Sequence, residues 1–357
     1  MANPAEPQPE AGTPPLDART IALATLAFLA VAYTLYFARA FFLPVVLALL
    51  LNFLLRPAVR SLARFRLSEP VAAGVVMLLV VGALSLSAYT LSDPMQGWIA
   101  RAPQTLSDAR SKIRKLIRPV ERAAAQVESA TKPADPGSTQ QVVVKGPTLA
   151  ERIYGKTPAF LLGGFEVLIL LYFLLASGDL FLEKLVRVIP EFADKKKAVR
   201  IAREAETSVS IFLGTVTLIN VGLGLVIALL MAVVGMPNPL LWGVAAGLLE
   251  FVPYAGATTM TAILSVAALV TFDDVGHALL VPALFVGTTL IQAYVVSPIL
   301  LGRRLTLNPV AIFVALLFWS LVWGVAGAFL AVPLLATLKI FCDHIERLQP
   351  VGEFLGR

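Results

Sequence analysis

Apolar residues along this chain fall into long runs of membrane length. Ile21 to Ala38, Pro70 to Leu91 and Pro158 to Ala176 are each long enough to cross the roughly 30 Å of a bilayer's hydrocarbon as a helix. Phe41 to Leu55, extended through Arg56, follows Arg39 so closely that it reads as the return leg of a tight hairpin. The segments between the runs differ in character. Residues 1–18 are rich in Pro, Ala and Glu and predict a disordered tail, followed by N-terminal spans over 19–92. Residues 93–157 read as an extramembrane insert. In it, Met95 to Val127 sets Ile99, Leu106, Ile113, Leu116 and Val120 among basic residues at roughly helical spacing, and Thr131 to Gln140 is punctuated by Pro, Ser and Gly. Residues 158–209 predict a span and then, over 180–208, an amphipathic helix lying on the membrane surface before the next span starts near Ser210. A transport core over 210–341 and a tail over 342–357 complete the chain.

The core contains two overlong apolar runs with interruptions. Glu250-Phe251-Val252-Pro253-Tyr254-Ala255-Gly256 places a carboxyl group, a helix breaker and a glycine inside the run Pro239 to Phe272. Proline opens the helical ladder, and in hydrocarbon an opened backbone survives only where it faces protein or a wet cavity. An intramembrane acid points to a functional site; the competing reading is a proline-kinked helix whose Glu250 snorkels or pairs with a neighbour. The second run, Pro309 to Phe341, is interrupted by Gly324 and Gly327. Each run opens on an Asn-Pro pair, Asn238-Pro239 or Asn308-Pro309. Each also follows a similar stretch, Gly214-Thr215-Val216-Thr217-Leu218-Ile219-Asn220 or Gly287-Thr288-Thr289-Leu290-Ile291-Gln292. This is an internal repeat of one full span followed by two half-helices, against a chance likeness between two Gly-, Thr- and Leu-rich stretches.

Composition fixes the class. With 58% hydrophobic residues, 15% charged residues and a mean hydropathy of +0.81, the chain is an all-α polytopic membrane protein. The net charge of +6 sits between the apolar runs, where it orients the chain and implies no nucleic-acid partner. Arg56, Arg60, Arg64 and Arg66, and later Lys184 to Arg203, mark cytoplasmic segments. Were Pro239 to Phe272 a single crossing, Arg303 and Arg304 would lie outside; a re-entrant hairpin keeps them inside, and a second one over Pro309 to Phe341 leaves Lys339 and the tail cytoplasmic. The expected architecture is therefore about six full spans plus two re-entrant broken-helix hairpins in an inverted repeat, with both termini cytoplasmic. Paired, inverted, discontinuous elements of this kind mark secondary-transporter sites near the midplane. Glu166, inside the fourth span, reads as a structural or interfacial acid or as part of an ion pathway. The single Cys342 excludes an internal disulfide framework, and His277 and His344 stand in no metal-binding spacing. With no Walker loop, HExxH or GxSxG, the sequence predicts no enzyme, no cofactor and no metal.

Several short motifs also carry a resemblance. Gly235-x-Pro237-x-x-x-x-Trp242, the Phe-Val-Pro-Tyr-x-Gly core, Tyr294-Val-Val-Ser-Pro298, Leu301-Gly302-Arg303-Arg304-Leu305 with Asn308-Pro309, Gly324-x-x-Gly327 with Ala331-Val332-Pro333, and Leu175-Ala-Ser-Gly178-Asp179 together resemble the autoinducer-2 exporter family, formerly predicted permeases. The resemblance covers most of the chain from Ile21 and is strongest from Gly214 to Lys339. It implies a homo-oligomeric inner-membrane transport protein whose relatives export a small signalling molecule or exchange sodium for protons. Members commonly have an asparagine just before the Phe-Val-Pro-Tyr core, where this chain has Glu250, and many have an acid before Tyr294, where this chain has Gln292-Ala293. One titratable group is thus kept, in the other half of the core.

The expectation is a secondary transporter in the lipid bilayer that exports a small organic solute coupled to protons or sodium. The alternatives are a sodium/proton antiporter and a non-transporting oligomeric scaffold or channel. Glu250 would couple, Pro253 and Gly256 would open the backbone, Asn220 and Gln292 would supply polar contacts, and Gly324 with Gly327 would form the matching break. Cysteines introduced at Arg64 and Lys196 should label only from the cytoplasm and one at Ser138 only from outside. Outside labelling of a cysteine at Arg303 would defeat the re-entrant reading.

Overall fold

The computed structural model describes residues 18–128, 157–180, 184, 192–301, 307–345 and 348–356. Residues 1–17 of the tail predicted over 1–18, the stretch Thr131 to Gln140 and the pair Arg303 and Arg304 lie outside them. Among the described residues the chain is helical, with no strand beyond an isolated bridge between Leu307 and Gly356.

Helices α1 (Ala18–Phe37) and α4 (Thr157–Ala176) have 20 residues each, about 30 Å at 1.5 Å per residue. Only Ala38 leaves the helix between α1 and α2 (Arg39–Ala63). Two boundaries differ from the sequence reading. Helix α3 (Glu69–Glu128) runs without interruption through position 93, so the first half of the expected insert continues the helix of the third span. Helix α5 (Phe192–Val234) likewise joins its charged start to the apolar span with no break, so residues 192–208 extend the span as one helix and are not a separate surface helix. In both cases the local helix signal passes from polar to apolar residues, and hydropathy alone places a boundary where the backbone has none. The remaining elements are α6 (Pro239–Leu249), α7 (Ala255–Thr271), α8 (Val275–Ile291, continued by a π-helical turn over Gln292–Val296 and by Ser297–Leu301), α9 (Pro309–His344) and α10 (Gln349–Leu355). Five helical stretches among the described residues are long and apolar enough to cross a membrane: Arg39–Ala63, Glu69–Arg101, Val199–Val234, Val275–Leu301 and Pro309–His344.

Three apolar clusters hold these helices. One joins α2, α3 and α4 through Ala48, Ala72, Val76 and Leu171, and a second joins α2, α5 and α9 through Leu50, Val209, Phe212, Trp323 and Ile340. The third, with Ile227, Met231, Trp242, Met260, Val281 and Phe285, joins α5 to α8. An ion cluster binds α2 to the ends of α4 and α5. Gly178, at φ +51, turns the chain after α4 so that Asp179 meets Arg56, Arg60 at 3.3 Å and Arg203 at 3.6 Å. Glu206 holds Arg56 at 2.9 Å and Arg60 at 3.1 Å.

Both overlong runs are broken where the sequence places the interruptions. Between α6 and α7, Ala255 N–H donates to Pro253 O at 2.6 Å around Tyr254, whose φ of 61° and ψ of −52° form a rare positive-φ γ-turn. In α9 the helix is interrupted at Gly324, with φ 64° and ψ −140°. Each break is followed by a glycine seated on a carbonyl of the preceding half: a Cβ on Gly256 would collide with Leu249 O, and one on Gly327 with Trp319 O. The segments flanking the first run meet, and the start of the second meets the helix that follows it. His277 Nε2 lies 3.0 Å from Val234 O and its ring 4.3 Å from that of Phe272, while Asn308 N–H donates to Leu355 O at 3.0 Å. The expected tail over 342–357 therefore carries a docked helix, α10, that returns to the start of α9.

Gly256→Ala and Gly327→Ala are each expected to destabilise the purified protein by about 1–3 kcal/mol, since the obstacle is backbone. Gly222→Ala, with open space at its Cβ, should be neutral or stabilising. Thermal unfolding in detergent checks this, and equal effects at all three positions would contradict the close contacts at the breaks.

Candidate functional site

Small residues bring α6 onto α5. A Cβ added to Gly224 would stand 2.8 Å from Gly243 O and one added to Gly247 2.8 Å from Asn220 O, while Gly243 also lies against Ala228. This is the small-xxx-small contact that lets membrane helices approach backbone to backbone. The spacing Gly243-x-x-x-Gly247 carried that signal in the sequence, and the reading above did not use it. Its consequence is positional, because Gly247 rests on Asn220 and Glu250 lies one turn further along the same helix end.

The result is a cavity of about 130 Å³ at the junction of both broken runs with α5 and α8. Phe212, Leu213, Val216, Ile219 and Asn220 come from α5, Glu250, Phe251 and Pro253 from the first break, Gln292, Ser297 and Leu301 from the end of α8, and Val332 and Pro333 from the second half of α9. Four of the seven residues singled out in the sequence, Asn220, Glu250, Pro253 and Gln292, therefore share one cavity. Gly256, Gly324 and Gly327 do not line it; they stand in or beside the breaks. Glu166 is exposed on α4 and is absent from the lining, so the structure does not join it to the cavity.

Polarity in the cavity is concentrated on few atoms. Of six buried side-chain atoms without a hydrogen-bond partner among the described residues, Asn220 Nδ2, Glu250 Oε2 and Gln292 Oε1 belong to cavity residues. Buried polar atoms are nearly always paired, with water or a ligand where protein does not serve. The side-chain amides of Asn220 and Gln292 and the carboxyl of Glu250 bring donors and acceptors to a largely apolar lining, chemistry suited to a small polar solute or a cation, and Glu250 can also carry a proton. Gln292 opens the π-helical turn Gln292–Val296, a local widening that frequently accompanies functional sites. Among the described residues no group of three or more His, Cys, Asp or Glu side chains converges to hold a metal.

Ser297, Val332 and Pro333 were not singled out as site residues, although each stands in a motif noted above, Tyr294-Val-Val-Ser-Pro298 or Ala331-Val332-Pro333. Proline inside a membrane-length run was the available signal at Pro333. The apolar lining on α5 had none, because its residues match the lipid-facing ones in kind.

A model of the AI-2E family transporter matches residues 24–347. The AI-2 transport protein TqsA of Escherichia coli (strain K12) is 26% identical over 325 residues, 90% of each chain. The putative transport protein YhhT of the same organism is 26% identical over 317 residues, 87% of this chain and 86% of that relative. The putative transport protein YrrI of Bacillus subtilis (strain 168) is 26% identical over 216 residues, 56% of this chain and 61% of that relative. The family match runs from α1 through both broken helices and every segment of the cavity, and the chain belongs to the AI-2E family of membrane transporters.

Proposed function

We propose that the chain is a secondary transporter that exports a small organic solute, such as a signalling molecule, coupled to protons or sodium, with the Glu250 cavity as its solute or ion site. The observation that carries this reading is the convergence of Asn220, Glu250 and Gln292, each with an unpartnered buried polar atom and each from a separate segment, on the lining of one largely apolar cavity. An unsatisfied buried polar group costs roughly 1–3 kcal/mol. A purely structural junction gains nothing from collecting three of them, whereas a site that exchanges its occupant needs them.

The arrangement favours re-entry of both broken runs. Helix α6 has 11 residues, about 16 Å against roughly 30 Å of hydrocarbon, the flanks of the first run lie together, and the start of the second meets α10 beyond its end. Six full spans are then α1 to α5 and α8, in a bacterial inner membrane with both termini cytoplasmic. The two hairpins enter from opposite sides and meet at the cavity, as the inverted-repeat plan requires. Asn220 and Gln292 close the two similar stretches and face the same cavity, which fits that symmetry.

Counterflow in proteoliposomes separates this reading from a scaffold or passive channel: a carrier accelerates exchange when solute is present on the far side, a scaffold carries no flux, and a channel shows no acceleration. Imposed sodium and proton gradients without solute test for the antiporter. Glu250→Gln keeps shape and hydrogen bonding without a releasable proton. It is expected to abolish gradient-driven uphill transport while preserving assembly, and Glu250→Asn to give a stable protein with altered ion dependence. Wild-type gradient dependence in a folded Glu250→Gln protein would remove the coupling role.

A further inference from the structure

A second cavity, of about 300 Å³, opens between α2 and α5 away from the Glu250 site. Pro57, Arg60, Ser61 and Arg64 line it from α2 and its end, and Glu206, Thr207, Ser210 and Ile211 from α5. Arg60 and Arg64 are one helical turn apart and so project to the same side. Arg60 already shares one guanidinium nitrogen with Asp179 and Glu206, which fixes its orientation and leaves its other donors available. Arg64 pairs with no carboxylate among the described residues and is exposed. Ser61 and Ser210 add hydroxyls; the Thr207 hydroxyl already donates to Arg203 O at 2.8 Å.

Charge and polarity together identify the occupant. Among the described residues of this corner, Arg56, Arg60, Arg64 and Arg203 stand with three carboxylates, Asp179, Glu206 and Glu69 beside Gly178, so the cluster retains positive charge after its internal pairing. The carboxylate of Glu206 is taken up by Arg56 and Arg60 and does not oppose an anion unaided. The lining is also of two kinds: Arg60, Arg64, Ser61 and Ser210 bring guanidinium and hydroxyl groups, while Pro57 and Ile211, the latter 62% exposed at the start of the apolar span, are apolar. A free anion needs the polar groups alone. A phospholipid uses both, with its phosphate against Arg60 and Arg64 and an acyl chain over Ile211.

We infer that this cavity binds the headgroup of an anionic phospholipid, in the manner of basic pockets between membrane helices. The bound lipid would join α2 to α5, the helix that also carries Asn220. The inference rests on the membrane setting and on this cavity, and stands or falls independently of the Glu250 transport reading.

Native mass spectrometry of delipidated protein tests it, with phosphatidylglycerol and phosphatidylcholine of the same acyl chains added at low molar ratio. Wild type and Arg66→Gln, which removes a nearby charge outside the cavity, should bind the first phosphatidylglycerol in clear preference. Arg64→Gln should weaken that binding about fivefold, the ratio equivalent to about 1 kcal/mol for one guanidinium. Thr207→Glu, which adds a carboxylate at an exposed helix position, should do the same, and it decides the matter should Arg64→Gln fold poorly. An unchanged preference in the folded cavity variants, an equal loss in Arg66→Gln, or displacement of the lipid by glycerol phosphate at equal concentration would overturn the inference; the last would point to a free-phosphate site.

Discussion

Everything in this molecule is constrained by the requirement that backbone N–H and C=O groups inside hydrocarbon find partners within the protein. Unbroken helices meet it automatically, so the two places where helices break must meet it residue by residue. At the first break, Glu250 N–H still donates to Ala246 O at 3.1 Å, Phe251 and Val252 tighten onto Leu248 O and Leu249 O, and Gly256 N–H reaches back to Val252 O at 2.8 Å. Pro253 has no N–H to satisfy. The Phe-Val-Pro-Tyr-x-Gly motif is thus a way of turning the chain with few backbone groups abandoned, and Gly256 is required because a carbonyl occupies the space of its Cβ. The second break uses one residue, Gly324, at a positive φ that an L side chain tolerates poorly.

Positioning relies on two further contacts of opposite chemistry. In the half containing α6, glycine-to-carbonyl approach along Asn220, Gly224, Gly243 and Gly247 sets the helices without a polar side chain. At the other end of α5, Arg56 is 16% exposed and Glu206 12% exposed, so their pairing is partly removed from water. Removing one partner of a well-buried pair costs about 3–5 kcal/mol, although the intact pair itself contributes little net stability. The cluster acts chiefly to specify which helix faces meet. It gives the Leu-Ala-Ser-Gly-Asp motif its meaning: Gly178 turns the chain and Asp179 grips three arginines.

Much of this was legible beforehand, for physical reasons. A break in an apolar run leaves a signature because few residue types tolerate it, so Pro253, Gly256, Gly324 and Gly327 marked both interruptions. Asn220, Glu250 and Gln292 stood out because polar groups are costly in hydrocarbon. What did not show was continuity. Helix propensity persists across a polarity boundary, so hydropathy divided α3 near residue 93 and α5 near residue 210 where the backbone is continuous. Nor did the partners of Arg56 and Arg60 show, since pairing across more than a hundred residues leaves no local trace. The basic residues read as topological signals are also members of the ion cluster, two roles that one sequence position serves at once.

Strain at Tyr254 bears on why the break exists. A non-glycine residue in a sparsely populated region costs of order 1–3 kcal/mol and persists only where its surroundings over-determine it. Here they do: Gly247 on Asn220 O fixes one half-helix, and Gly256 on Leu249 O fixes the other. An unbroken helix over Pro239–Thr271 would be about 50 Å long at 1.5 Å per residue, well beyond roughly 30 Å of hydrocarbon. It would also lose the turn that follows Glu250 and sets Pro253 in the cavity with Asn220 and Gln292. In the proposed re-entrant arrangement the strained turn divides the run into two halves that each fit within the bilayer, with a carboxyl left at the junction of two broken helices.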